Sequence, residues 1–143
     1  MLFRSYAGLD LASVRDISAF VIIIPEDDRF TVIPYFFAPK DNAFIRSRRD
    51  QVDYIGWEKE GLMELTEGDV TDYNYIKRRI KEVAEVVNIK SIAYDRWNSS
   101  QLVIDLTEDG LPMESYGQGF ASMSFAVKQL EKLVLSKDRK SVV

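Results

Sequence analysis

Between residues 6 and 12 the chain alternates small or polar positions with apolar ones. Gly8, Asp10 and Ala12 face one way, and Ala7, Leu9 and Leu11 the other. A period of two predicts a strand. Ser13-Val14-Arg15-Asp16 reads as a turn, and Ala19-Phe20-Val21-Ile22-Ile23-Ile24 is an unbroken apolar, largely β-branched run. Such a run predicts a strand covered on both faces. After the turn at Pro25-Glu26-Asp27-Asp28, residues 30–37 predict a third strand, in which Pro34 signals an edge position or a bulge. Short turns on both sides join the three most simply as an antiparallel meander.

The pattern changes after Pro39. Residues 40–60 are polar and read as helical, with Arg46, Arg48 and Arg49 close together and Tyr54 and Trp57 interspersed. Arginines beside aromatics can grip a nucleic acid. A solvated helix face with its aromatics turned into the core is the favoured reading here. Residues 62–65 suggest a short strand. Residues 72–88 carry Ile76, Ile80, Val83 and Val87 at helical spacing, opposite Lys77, Arg78, Lys81 and Glu85. That is the clearest amphipathic helix in the chain, its basic side read as solvated.

Ile92-Ala93-Tyr94 then forms an apolar run that stops at a carboxylate, Asp95. Asn98 is a good helix N-cap, and Gln101 stands three residues on, where a capping-box partner belongs. Leu102 and Leu106 give the following helix an apolar stripe, and Gly110 supplies its stop. Residues 112–116 predict a last short strand and Gly117-Gln118-Gly119 a flexible corner. From Ser124 a final helix should turn Val127, Leu130 and Val134 inward, before a polar tail. A meander followed by alternating helices and strands predicts an α/β fold, a mixed sheet with flanking helices.

Composition narrows the chemistry. The 143 residues suit a single domain and include neither cysteine nor histidine. Thiolate and imidazole metal sites are excluded, as are Ser-His-Asp and Cys-His catalysis. Hard oxygen ligands for Mg²⁺ or Mn²⁺ remain. No G-x-x-x-x-G-K-[ST] loop is present, so the chain carries no ATPase phosphate loop of its own. The apolar run ending at Pro25 is too short to span a bilayer, and no signal peptide is visible, which predicts a cytoplasmic protein. The net charge of −4 argues against a general nucleic-acid binder. It leaves room for an acidic metal site brought to DNA by another domain.

Asp10 and Asp95 share one setting. Each lies on the small-residue face of a strand, Asp10 with Gly8 and Ala12, Asp95 with Ser91 and Ala93. Asp95 also stands at the carboxyl end of its strand, just before a helix, where open α/β sheets form ligand crevices. If the two strands are neighbours, the carboxylates can hold divalent metal between them. Such an ion activates water and stabilises the leaving oxygen in phosphoryl transfer.

Four blocks resemble one family. They are Gly8-Leu9-Asp10-Leu11-Ala12-Ser13-Val14-Arg15-Asp16, then Ala93-Tyr94-Asp95-Arg96-Trp97-Asn98, then Gly117-Gln118-Gly119-Phe120-Ala121-Ser122-Met123-Ser124, and last Lys128-Gln129-Leu130-Glu131-Lys132-Leu133-Val134-Leu135. In that order they look like the C-terminal nuclease half of the bacteriophage terminase large subunit. The resemblance implies an RNase H-like fold, in which the strands of Asp10 and Asp95 lie side by side. It implies a DNA endonuclease of phage or prophage that cuts concatemeric DNA during packaging, with Asp10 and Asp95 as catalytic metal ligands and Mg²⁺ or Mn²⁺ as cofactor. Double-stranded DNA, an ATPase domain, the small terminase subunit and the portal are the implied partners.

Asp16 matches the family pattern, and its place in a turn suits a structural or accessory role. Arg96 and Lys128, basic residues beside the blocks, are candidate phosphate contacts, with solvated surface the favoured role for each. The resemblance further implies that the family's ATPase half is absent and that its last acid lies beyond Val143, a truncated pattern in which Asp138 is the only nearby carboxylate. The expected organisation is therefore one RNase H-like nuclease domain over residues 1–136 and a polar tail over 137–143. The alternative is a catalytically silent RNase H-like domain, either a prophage remnant or a protein-interaction module.

Overall fold

A computed structural model describes residues 2–98, 101–136 and 139–141. Strands β1 (Phe3–Asp10), β2 (Ser18–Pro25) and β3 (Phe30–Pro39) form the expected antiparallel meander. Helices α1 (Ala43–Asp50) and α2 (Tyr54–Lys59) lead to the short β4 (Glu64–Thr66). They are followed by α3 (Tyr73–Val86), β5 (Val87–Tyr94), α4 (Gln101–Glu108), β6 (Met113–Ser115), α5 (Phe120–Leu135) and β7 (Arg139–Ser141). The sheet runs β4-β3-β2-β1-β5-β6, with β7 also paired to β3. β5 lies parallel to β1, so the adjacency of the Asp10 and Asp95 strands is met.

The main core lies on one face of the sheet. Leu9, Phe20, Ile22, Ile89 and Ile92 meet Ile76, Ile80 and Val83 of α3 and Leu102 and Leu106 of α4. The spacing of Ile76, Ile80 and Val83 thus reports the packing face of α3, although Val87, read with them, opens β5 instead. Asp72 caps the helix by accepting from the Tyr75 N–H at 3.0 Å. Its basic side is more organised than a solvated face. Lys77 pairs with Asp105 and Lys81 with Asp109, both at 3.1 Å, which ties α3 to α4. Gly110, at φ 87°, ends α4 in the left-handed region, and the Leu111 N–H reaches back to the Leu106 carbonyl at 3.0 Å. That is the Schellman arrangement that only glycine adopts without strain.

A second cluster gathers Ala38, Ala43, Tyr54 and Met63 beneath α1 and α2, with Trp57 packed against it. Tyr54 and Trp57 do turn inward, whereas Phe44 stays 57% exposed under the Arg48 guanidinium. Arg46 departs from the solvated reading: it is only 6% exposed, its guanidinium lies 5.0 Å from the centre of the Tyr54 ring, and its Nε finds no hydrogen-bond partner. Pro34 sits where β3 has an open outer edge, between the stretches paired to β7 and β4. An imino nitrogen costs no ladder bond there.

The other face of the sheet corrects two expectations. β2 is not covered on both sides, since Ile23 is 39% exposed. α5 begins at Phe120 rather than Ser124, and Val127, Leu130 and Val134 are exposed rather than inward. The physical reason is the small-residue surface of Gly8, Ala19 and Ala93, which α5 approaches only near Met123 and Ala126. Residues 139–141, which a polar pattern leaves without an element, pair with Phe30, Thr31 and Val32.

The α3–α4 pairing carries a pH signature. Hydrogen bonds from Gln101 and then Lys77 hold the Asp105 carboxyl below its ordinary range, and bonding from Arg49 does the same for Asp50. A carboxyl lowered on folding adds stability above its unfolded pKa of about 3.9, and that stability is lost as pH falls through the folded value. Thermal melts should therefore hold steady from about pH 5 upward toward neutrality and fall below about pH 4. The acid decline should be shallower in Asp105→Asn; an unchanged decline would assign it to other carboxyls.

Candidate metal centre

β1 carries Asp10 to the carboxyl edge of the sheet, and the chain beyond it is pinned. The Ala12 N–H donates to the buried Ser18 Oγ at 2.9 Å, and the Tyr73 hydroxyl donates to the Ala12 carbonyl at 2.7 Å. Thr71 donates from both its N–H and its hydroxyl to the Val14 carbonyl, at 2.9 and 3.1 Å. The turn that holds Asp16 is thereby fixed to the lead-in of α3. Asp16 itself is exposed and lies within electrostatic reach of Arg49, whose main partner is Asp50.

On β5, the register with β1 runs Gly8 to Ala93 and Leu9 to Tyr94. The next step places Asp10 beside Asp95, on strands about 4.8 Å apart. A bulge sets this relation. Ser5 pairs with Ile89 but Ala7 pairs with Ile92, so Lys90 and Ser91 together oppose Tyr6. Strict alternation from Val87 and Ile89 would point Asp95 into the main core. The extra residue switches the faces, so that Ile92 is buried and Asp95 joins Asp10 on the small-residue side.

Both acids line a pocket of about 300 Å³, with Gly8, Ala19, Val21 and Ala93 beneath and Tyr116, Gln118, Met123 and Ala126 beside them. No heavy atom lies within 4 Å of the place a Cβ on Gly8 would take, so the floor is open. Asp10 is exposed and Asp95 half-buried. Asp95 Oδ1 accepts from the Trp97 N–H at 3.0 Å, an Asx turn that fixes the carboxylate as the chain leaves the sheet. The three residues Arg96–Asn98 form a 3₁₀ turn, and α4 starts at Gln101. Gln101 is thus inside the helix and bonds Asp105 at 2.9 Å. Asn98, the expected N-cap, belongs to the 3₁₀ turn instead, and residues 99 and 100 between it and α4 lie outside the described residues.

The other site residues read from the sequence lie around this pocket. The Arg96 guanidinium sits 5.6 Å from the centre of the Trp97 ring. Lys128 lines a neighbouring hollow of about 600 Å³ that shares Gln118 and Met123 with the acid pocket. Tyr116 carried no functional signal in the sequence, where it closes the predicted strand 112–116; the observed strand ends at Ser115. Here its hydroxyl donates to the Ser122 carbonyl at 2.7 Å and braces the Gly-Gln-Gly corner against α5. Glu114 pairs in register with Ala93, on the same side as the two aspartates but two residues farther back. Among the described residues no three acidic side chains gather closely enough to hold one ion. Asp138 lies outside the described residues.

A pair of carboxylates at an open edge suits a hard dication that keeps its remaining positions for water and phosphate oxygens, as Mg²⁺ commonly does. The donor set fits such an ion.

Comparison with known proteins bears on this arrangement. The family model described as terminase large subunit, endonuclease domain, matches residues 4–140. The chain is 37% identical over 134 residues to the terminase large subunit of Enterobacteria phage HK97, covering 92% of this chain and 27% of that protein. It is 25% identical over 111 residues to protein YmfN of Escherichia coli strain K12, covering 75% of this chain and 24% of that one. The chain thus spans about a quarter of the length of these curated relatives. The crystal structure of the HK97 bacteriophage large terminase superposes with a TM-score of 0.89 at 35% identity, over 99% of this chain and 30% of that one. The large terminase of a thermophilic bacteriophage gives 0.58 at 8% identity, over 98% of this chain and 28% of that one, a likeness of fold alone.

Proposed function

The chain belongs to the terminase large subunit endonuclease domain family and has its RNase H-like mixed sheet, and from that premise we propose that it hydrolyses DNA phosphodiesters with Asp10 and Asp95 as the ligands of Mg²⁺ or Mn²⁺. One observation carries the reading: the bulged register that sets the two carboxylates side by side over an open, small-residue floor. An ion held there would activate water and stabilise the leaving oxygen of a phosphodiester.

The protein's own part is positioning. The Trp97 N–H holds Asp95 Oδ1, which fixes the carboxylate on the pocket it shares with Asp10. Gly8 and Ala93 keep the floor low enough for a phosphate to approach. Arg96, over the Trp97 ring, and Lys128, in the neighbouring hollow, would contact flanking phosphates and orient the strand without reading its sequence. The work assigned to this domain is the cutting step of DNA packaging in the cytoplasm of a bacterial host. Its partners there are double-stranded DNA, an ATPase domain, the small terminase subunit and the portal. No helix among the described residues is long and apolar enough to cross a membrane.

The absence of a third gathered acid among the described residues favours a second reading, a silent RNase H-like domain. Supercoiled plasmid separates the two. Under the nuclease reading the purified chain nicks or linearises plasmid in Mn²⁺ and leaves it intact in EDTA. Intact plasmid in both conditions would leave the silent domain.

A further inference from the structure

Trp97 is 81% exposed, an unusual state for the largest side chain in the alphabet. Its place is not arbitrary. Its backbone N–H is bonded to Asp95, its ring carries the Arg96 guanidinium, and two residues of chain, at most about 7 Å, separate it from the carboxylate. Any molecule that presents a phosphate to Asp95 brings its next unit within reach of this ring. Beyond the acid pocket, Phe120 opens α5 at 98% exposure, beside the hollow lined by Lys128. Exposed aromatics therefore stand on two elements that border the acid pair.

We propose that Trp97, with Arg96 across its ring, is a stacking platform for an unpaired base next to the phosphodiester held at Asp10 and Asp95. The proposal rests on the nuclease reading and specifies its substrate: DNA that is single-stranded or locally melted at the cut. Charge supports a stacking contact. A chain of net charge −4 that gathers carboxylates at its site has little electrostatic grip on a phosphate backbone. Stacking needs no charge and tolerates any base, because every base has a π-face. An intact duplex keeps its bases stacked on one another, so the ring finds a partner only where pairing has opened. Arg96 is suited to a double role, stacking on the indole and reaching a phosphate with its free edge.

The test uses a single strand of mixed sequence, about 12 nucleotides long to fit one binding site, and the blunt duplex of the same sequence, both in EDTA so that neither is cut. The protein is the Trp57→Phe chain, in which Trp97 is the only tryptophan. The single strand should quench Trp97 emission strongly and the duplex weakly. Trp97→Ala in the parent chain should weaken single-strand binding by about 5- to 150-fold, the size of one base–aromatic stack, and Trp97→Phe should keep most of the affinity. The salt dependence separates the two neighbours. Trp97→Ala should leave its slope unchanged, and Arg96→Ala should lower it by about one phosphate contact. Unchanged emission on addition of the single strand, parent-like binding by Trp97→Ala, or no single-strand binding by the parent each overturns the platform. A chain that shows the quench but never cuts plasmid in Mn²⁺ loses the nuclease reading and keeps the platform. One that cuts while Trp97→Ala binds as the parent does loses the platform alone.

Discussion

Asp10→Asn and Asp95→Asn should each lower Mn²⁺-dependent plasmid cleavage by more than about a hundredfold while leaving the melting temperature close to that of the parent. The scale follows from metal sites in general. Losing a group that merely orients a ligand already costs about 10- to 100-fold, so losing a ligating anion costs more. Folding is spared for reasons local to each site. Asp10 is exposed and contributes no contact to the main core. Among the described residues, Asp95 accepts at Oδ1 from the Trp97 N–H, and an asparagine carbonyl oxygen can accept that bond equally well. Parallel assays of cleavage and thermal melting check both halves. A large drop in melting temperature would show instead that the variants act through the fold.

The second prediction concerns the bulge and contrasts two single-residue deletions. Removing Ser91 leaves one residue, Lys90, opposite Tyr6, and the β1–β5 ladder becomes regular with Ile92 still inward and Asp95 still beside Asp10. Cleavage should persist, at little cost in stability. Removing Ala93 has no such solution. If the bulge stays, Asp95 swings to the core face, and burying an unpaired carboxylate costs several kcal/mol. If the bulge is absorbed, Asp95 keeps its place but Ile92, fully buried in the native chain, turns outward; forfeiting that packing costs about 2–5 kcal/mol. Cleavage and thermal melts of the two deletions should therefore differ sharply. Equal behaviour would remove the bulge as the cause of the acids' alignment.

How legible these features were depends on what local pattern can express. The meander, α3 and the strand that ends at Asp95 follow from periodicity, because each buries one face against one partner. The bulge is invisible to a strict period of two, since Lys90 and Ser91 differ from ordinary strand residues only by the register they share. Alternation read back from Asp95 nevertheless assigns Asp95 and Ala93 to one face, because the switch occurs upstream of both. The site side of α5 was misread for a different reason. An apolar stripe says that a helix can bury a face, and the small residues of β1, β2 and β5 offer Val127, Leu130 and Val134 little to bury it against. Arg46 likewise depends on tertiary context: its burial requires Tyr54, on the following helix, to turn beneath the guanidinium. The aspartate pair itself was readable as two carboxylates on small-residue strands. Only the pairing of β1 with β5, which are far apart in sequence, brings them to one pocket.

That unity is what a calorimetric titration with Mn²⁺ tests most directly, using the parent chain, Asp10→Asn, Asp95→Asn and the double variant. One shared site predicts that the parent binds Mn²⁺ and that each single variant loses as much affinity as the double variant does. Parent-like Mn²⁺ binding in either single variant would contradict it.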